Sequence, residues 1–187
     1  MSTTARLALL VASALLVVPF FYPLWEIGLI APQYPEGLAL HIWINQITGD
    51  IRTINVLNHY IGMGKVEPDK IPELRLFPYL FSFFAASGIV VALWNKLRVI
   101  QLWCLALLLF ALIGLYDFYS WEYRFGHELS EDAPMKLEES YQPPLIGTKQ
   151  ILSITASSWP STAGYSFSVA ALLSFIILAR SLRSSRE

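Results

Sequence analysis

Leu76-Phe77-Pro78-Tyr79-Leu80-Phe81-Ser82-Phe83-Phe84-Ala85-Ala86-Ser87-Gly88-Ile89-Val90-Val91-Ala92-Leu93-Trp94-Asn95-Lys96-Leu97-Arg98 is the stretch on which the reading of this chain turns. Positions 76–94 carry no charged side chain. A helix of that length crosses a hydrocarbon core about 30 Å thick. Pro78 falls in its first turn, where the missing N–H costs little. Asn95-Lys96-Leu97-Arg98 then leaves room only for a tight turn, so the apolar run that follows, 99–119, must return as an antiparallel neighbour. Working outward, 7–24 and 161–182 are also long enough and apolar enough to cross. The first run ends in Pro19-Phe20-Phe21-Tyr22-Pro23-Leu24-Trp25, which offers no small-x-small cleavage site, so it reads as a retained helix and not as a signal peptide.

The composition agrees. Of the 187 residues, 55% are apolar and 14% charged, against about 25% charged in soluble domains. The net charge of −1 gives no field for nucleic acid. The single cysteine, Cys104, lies in an apolar run and reads as a buried hydrophobe. Arg6, Lys96, Arg98, Arg180, Arg183 and Arg186 all fall at the termini or in the turn between the middle spans. The positive-inside rule therefore predicts two cytoplasmic termini and two outward-facing loops, 25–75 and 120–160, in a bacterial inner membrane. The fold expected is an all-α membrane protein, one domain over 1–187, with four transmembrane helices and the two loops packed as a small periplasmic cap.

Within the first loop, 38–47 is too short to span and too apolar for a free loop, so it is expected along the membrane interface. Thr48-Gly49-Asp50 supplies a turn and an N-cap for a short helix from Ile51, which Gly62 and Gly64 would close. Asp117 is an acid near the outer end of a span; Arg75 is its expected partner.

The three histidines, His41, His59 and His127, all lie in the outward loops, with Met63 and Met135. His59 and Met63 stand four residues apart, a spacing that lets both meet on one helix face. Imidazole with thioether suits Cu(I). His41, His127 and Met135 are the candidate further metal ligands. The alternative is structural: His59 bonded to Asn55 or Asn58 with Met63 packed at the interface, His127 a surface histidine in an acidic loop, and His41 a satisfied interfacial one. No HExxH, catalytic triad, phosphate loop or CxxCH motif occurs, and no histidine lies inside a span to hold haem. No catalytic residue is assigned.

Trp25-Glu26-Ile27, Ala31-Pro32-Gln33-Tyr34-Pro35-Glu36-Gly37, Asn55-Val56-Leu57-Asn58-His59-Tyr60-Ile61-Gly62-Met63 and Tyr141-Gln142-Pro143-Pro144-Leu145-Ile146-Gly147-Thr148-Lys149-Gln150 together resemble an uncharacterised family of small four-span bacterial membrane proteins. The resemblance runs over nearly the whole chain. It implies the company of nitrous oxide reductase accessory proteins, and hence a role for His59 and Met63 in copper handling. The leading expectation is a non-enzymatic accessory protein that handles copper, as Cu(I), for a periplasmic or membrane cuproenzyme. The alternatives are a docking subunit of a respiratory membrane complex without its own metal, and a quinone-binding or enzymatic subunit using Asp117 and nearby tyrosines.

Overall fold

A computed structural model describes residues 3–134, 144–151 and 153–184. Four helical segments are long and apolar enough to cross a membrane: 3–20, 73–94, 97–127 and 162–183. The first is α1 (Thr3–Leu15), continued by a 3₁₀ turn over Val18–Phe20 with Pro19 inside it. The others are α3 (Glu73–Trp94), α4 (Leu97–His127) and α5 (Thr162–Ser184). Asn95, in the left-handed region, ends α3, and α4 begins two residues later. The short helix of the first loop is α2 (Ile51–Ile61), ended by Gly62 at φ 80°, where a left-handed residue closes the last turn.

The expectation of an all-α fold is overturned. The two loops expected to face outward build one five-stranded antiparallel sheet in the order β3-β2-β1-β5-β4. The first loop supplies β1 (Trp25–Ala31), β2 (Tyr34–Ile42) and β3 (Ile47–Gly49). The second supplies β4 (Gly147–Ile151) and β5 (Ile154–Pro160). β1 pairs with β5 from Trp25↔Pro160 to Ile30↔Thr155, so segments far apart in sequence share one ladder. The chain is therefore a mixed helix-and-sheet fold that carries four helices long and apolar enough to cross a membrane.

The physical reason lies in a two-residue period. Leu38 and Leu40 are buried, and Ile42 follows them on the same face of β2, with Ala39 and His41 on the other. The 38–47 segment thus forms strands instead of lying along an interface. Pro32 and Gln33 make the two-residue link between β1 and β2. The ladder then shifts register between Leu29↔Leu38 and Ala31↔Tyr34, leaving Pro35, Glu36 and Gly37 opposite Ile30 alone. That irregularity accommodates a proline and a glycine at φ 85° within a strand.

Two cores follow. Between the helices, Leu9, Leu16, Phe81, Phe84, Trp103 and Leu107 are buried together, with Cys104 fully enclosed. Under the sheet, Leu38, Leu40, Ile54 and Val66 form a second cluster, packed by Ile27, Leu29 and Phe125. Chain order puts the sheet and α2 at the C-terminal ends of α1 and α4 and the N-terminal ends of α3 and α5. Backbone bonds fix that junction: Ser161 N–H donates to the Leu24 carbonyl at 3.0 Å and Ala163 N–H to the Pro23 carbonyl at 3.1 Å.

Candidate functional site

α4 is 31 residues long, about 46 Å at 1.5 Å per residue. That exceeds the hydrocarbon thickness by several turns. Its last turns carry Phe118, Trp121, Glu122 and Phe125, an i, i+3, i+4, i+7 stripe facing the sheet. Between this stripe, the inner face of the sheet, α2 and the first turns of α3 lies a cavity of about 210 Å³. Its walls are mostly aliphatic and aromatic: Ile27 and Leu29 from β1, Leu40 and Ile42 from β2, Leu57 and Ile61 from α2, Phe77 from α3. A cavity of about 150 Å³ lined by such side chains holds benzene, so this one has the volume for a ring or a short length of alkyl chain.

Three carboxyl groups break the apolar lining: Glu73, Asp117 and Glu122. Among the described residues, no Lys, Arg or His lines it. Glu122 is 4% exposed, and neither of its carboxylate oxygens has a hydrogen-bond partner. The Ser158 hydroxyl approaches it, but that proton is directed at the Leu145 carbonyl, 3.1 Å away, while Ser158 accepts from Trp25 Nε1 at 2.7 Å. The neighbouring network is thus satisfied without Glu122. One oxygen of Glu73 is also buried and unpaired. Glu73 and Asp117 are close enough to repel, and Arg124 attracts Asp117. Arg75 donates instead to the Asp69 carbonyl at 3.2 Å. Among the described residues no ion pair joins it to Asp117. A buried carboxylate without donors is costly.

The candidate metal ligands fall in separate surroundings. Met63 lines the cavity. Its N–H donates to the Asn58 carbonyl at 2.8 Å, past the left-handed turn at Gly62, so it lies beyond the end of α2. His59 is exposed and meets Tyr60 edge-on at 6.5 Å between ring centroids. Asn55 and Asn58 do not serve His59. Asn55 clamps Val66 through both backbone groups, at 2.7 and 3.0 Å, and Asn58 Nδ2 donates to the Gly64 carbonyl at 3.0 Å. His41, on the outer side of β2, faces Glu26 across the ladder at 3.6 Å. His127 stacks on Tyr123 at 3.8 Å, its Nδ1 donating to the Tyr123 carbonyl at 2.9 Å. Met135 lies outside the described residues. Among the described residues no group of three or more His, Cys, Asp and Glu side chains is arranged to hold a metal ion.

Sequence reasoning singled out Met63 and Asp117 but missed Glu73 and Glu122. The available signal was the stripe through Phe118, Trp121, Glu122 and Phe125, which continues a helical period beyond the span. Comparison with family models, curated proteins and solved structures finds no match.

Proposed function

We propose that this chain is a membrane-embedded binding protein that holds one largely apolar small molecule between the outer ends of α3 and α4 and the sheet. The observation that carries the reading is Glu122: a carboxyl group 4% exposed, with no partner for either oxygen, at an otherwise apolar wall. Packing alone gives no reason to keep such a group, because an apolar side chain there removes the cost of burying it. A ligand that bonds to it does give a reason. Intact-complex mass spectrometry of the protein released from a gentle detergent tests this. The expected result is a retained small molecule of defined mass, lost from Glu122→Leu. A wild-type protein that carries nothing, even after incubation with membrane lipid extract, overturns the reading.

Copper handling, which the resemblance implies, is the second reading, and Met63 is its support. The thioether lines the same cavity and is a ligand type suited to Cu(I). That reading needs a further soft donor beside Met63, and His59 is exposed on α2. Anaerobic Cu(I) titration separates the two. Tight binding lost in both Met63→Leu and His59→Ala favours copper; no binding above that of an unrelated four-span protein removes it.

A further inference from the structure

We infer that the occupant of the cavity is an amphiphile with a positively charged, hydrogen-bond-donating head, an ammonium group, whose chain leaves sideways into the bilayer between α3 and α4. The inference rests on the binding reading above and adds the chemistry of the head and the path of the tail.

The head follows from what lines the cavity. Among the described lining residues the three ionisable groups are all acids, and none is basic. Glu122 is the decisive one. Neither of its oxygens has a hydrogen-bond partner among the described residues, and the Ser158 hydroxyl beside it also bonds the Leu145 carbonyl. A carboxylate or phosphate head would add like charge to this wall, which low polarity makes more costly. A carbonyl head brings no charge to meet the three acids. An ammonium brings charge of the right sign and three donors, and Glu73 and Asp117 lie in the same lining to share them.

The tail follows from the helix packing. α1 packs on α3 and on α5, and α5 on α4, whereas α3 and α4 share few contacts although a short turn joins them. Rings span the gap lower down: Phe84 stacks on Phe110 at 5.3 Å between centroids, and Phe77 meets Phe110 edge-on at 6.1 Å. These rings form a floor. Above them Gly114 lines the cavity, and a Cβ added there meets nothing within 4 Å. The volume is too small for a whole lipid, so a chain longer than a short alkyl segment must leave it, and the side of Gly114 is unobstructed.

The test uses the full chain in lipid nanodiscs and three diazirine probes with one alkyl chain and three heads: primary amine, alcohol and carboxylate. Peptide mapping after photolysis reads the yield at cavity residues. The amine probe is expected to label Trp121 and Phe118 at least tenfold more than the carboxylate probe. Glu122→Gln, which keeps the shape and removes the charge, should bring the amine down to the level of the alcohol. Gly114→Leu should lower labelling by the amine and alcohol probes severalfold, while circular dichroism and the elution volume stay as in wild type. Equal labelling by amine and carboxylate, or an amine yield unchanged in Glu122→Gln, overturns the cationic head and leaves the binding reading standing. Full labelling in Gly114→Leu overturns the lateral path. If none of the probes labels the cavity, the binding reading falls with the inference.

Discussion

Glu122 is enclosed by rings and strands, and the one hydroxyl that approaches it, that of Ser158, is shared with the Leu145 carbonyl; the consequence is measurable in stability. Removing one partner from a buried pair is destabilising, but the Ser158 hydroxyl beside Glu122 keeps its bonds to the Leu145 carbonyl and Trp25 Nε1. Glu122→Leu should therefore raise the free energy of unfolding, by about 1–3 kcal/mol, read as a higher denaturation midpoint in detergent. A lower midpoint would mean that the carboxyl is held by something within the protein. Such a gain at the expense of binding is the usual sign of a functional group kept at a cost to stability. Asn55 is the opposite case. Its side chain accepts from Val66 N–H and donates to Val66 C=O, fixing the chain after α2 against the core under the sheet. Asn55→Ala removes both bonds and strands two backbone groups. The expected loss is about 2–3 kcal/mol, with the midpoint lowered accordingly; an unchanged midpoint would show that water replaces the clamp without cost.

At the scale of elements, the β1–β5 ladder joins the two loops into one lid, and its register is testable by cross-linking. Ile30 pairs with Thr155, and Leu29 with Ala156. Paired positions in an antiparallel ladder stand about 4.5–5.5 Å apart between Cα atoms, within the range a disulfide spans. Ile30→Cys with Thr155→Cys should cross-link under mild oxidation. Ile30→Cys with Ala156→Cys, displaced by one residue and aimed at opposite faces, should not. Equal yields from the two pairs contradict the register. Cys104 is fully buried among the helices and does not compete. The helices were legible in the sequence because an uncharged run of that length has one common explanation, and the end of α2 was legible because Gly62 supplies the left-handed residue. The strands were not. Trp25-Glu26-Ile27-Gly28-Leu29-Ile30-Ala31 shows only weak alternation, with Ile30 apolar on the outer face, where it is 53% exposed. Pro35 and Gly37 broke the pattern of β2 just where the ladder shifts register. The site was half legible for the same reason. Asp117 stood out at the end of an apolar run, whereas Glu122 in Ser120-Trp121-Glu122-Tyr123-Arg124 reads as solvated until the sheet is known to cover it. The i, i+4 spacing that suggested His59 and Met63 as a pair assumes a helix running past Gly62, and α2 ends before it.

For the whole molecule, the fold adds a reason why orientation matters to the binding reading. The sheet, α2 and the cavity all belong to one end of the four-helix assembly, while the α3–α4 turn, the N-terminal end of α1 and the C-terminal end of α5 belong to the other. One side of the membrane therefore meets a folded lid. The other meets a turn with Lys96 and Arg98, together with Arg6 and the arginines after 179. Basic residues in short segments beside spans are retained on the cytoplasmic side, and acidic residues count for little in that bias. The lid side is rich in acids but not free of bases, with Arg75 in the first turn of α3 and Arg124 in the last turn of α4, so the expected orientation rests on the bases clustered at the opposite end. Sandwich fusions decide the matter: a reporter active only outside the cytoplasm should be silent at Lys96 and at the C-terminus and active at Lys65, which is exposed between α2 and the 3₁₀ turn over Pro68–Lys70. Replacing Lys96 and Arg98 with Glu together should weaken that asymmetry and yield a mixed population. A silent reporter at Lys65 would place the lid in the cytoplasm, and the cavity would then draw its ligand from the inner leaflet instead of the outer.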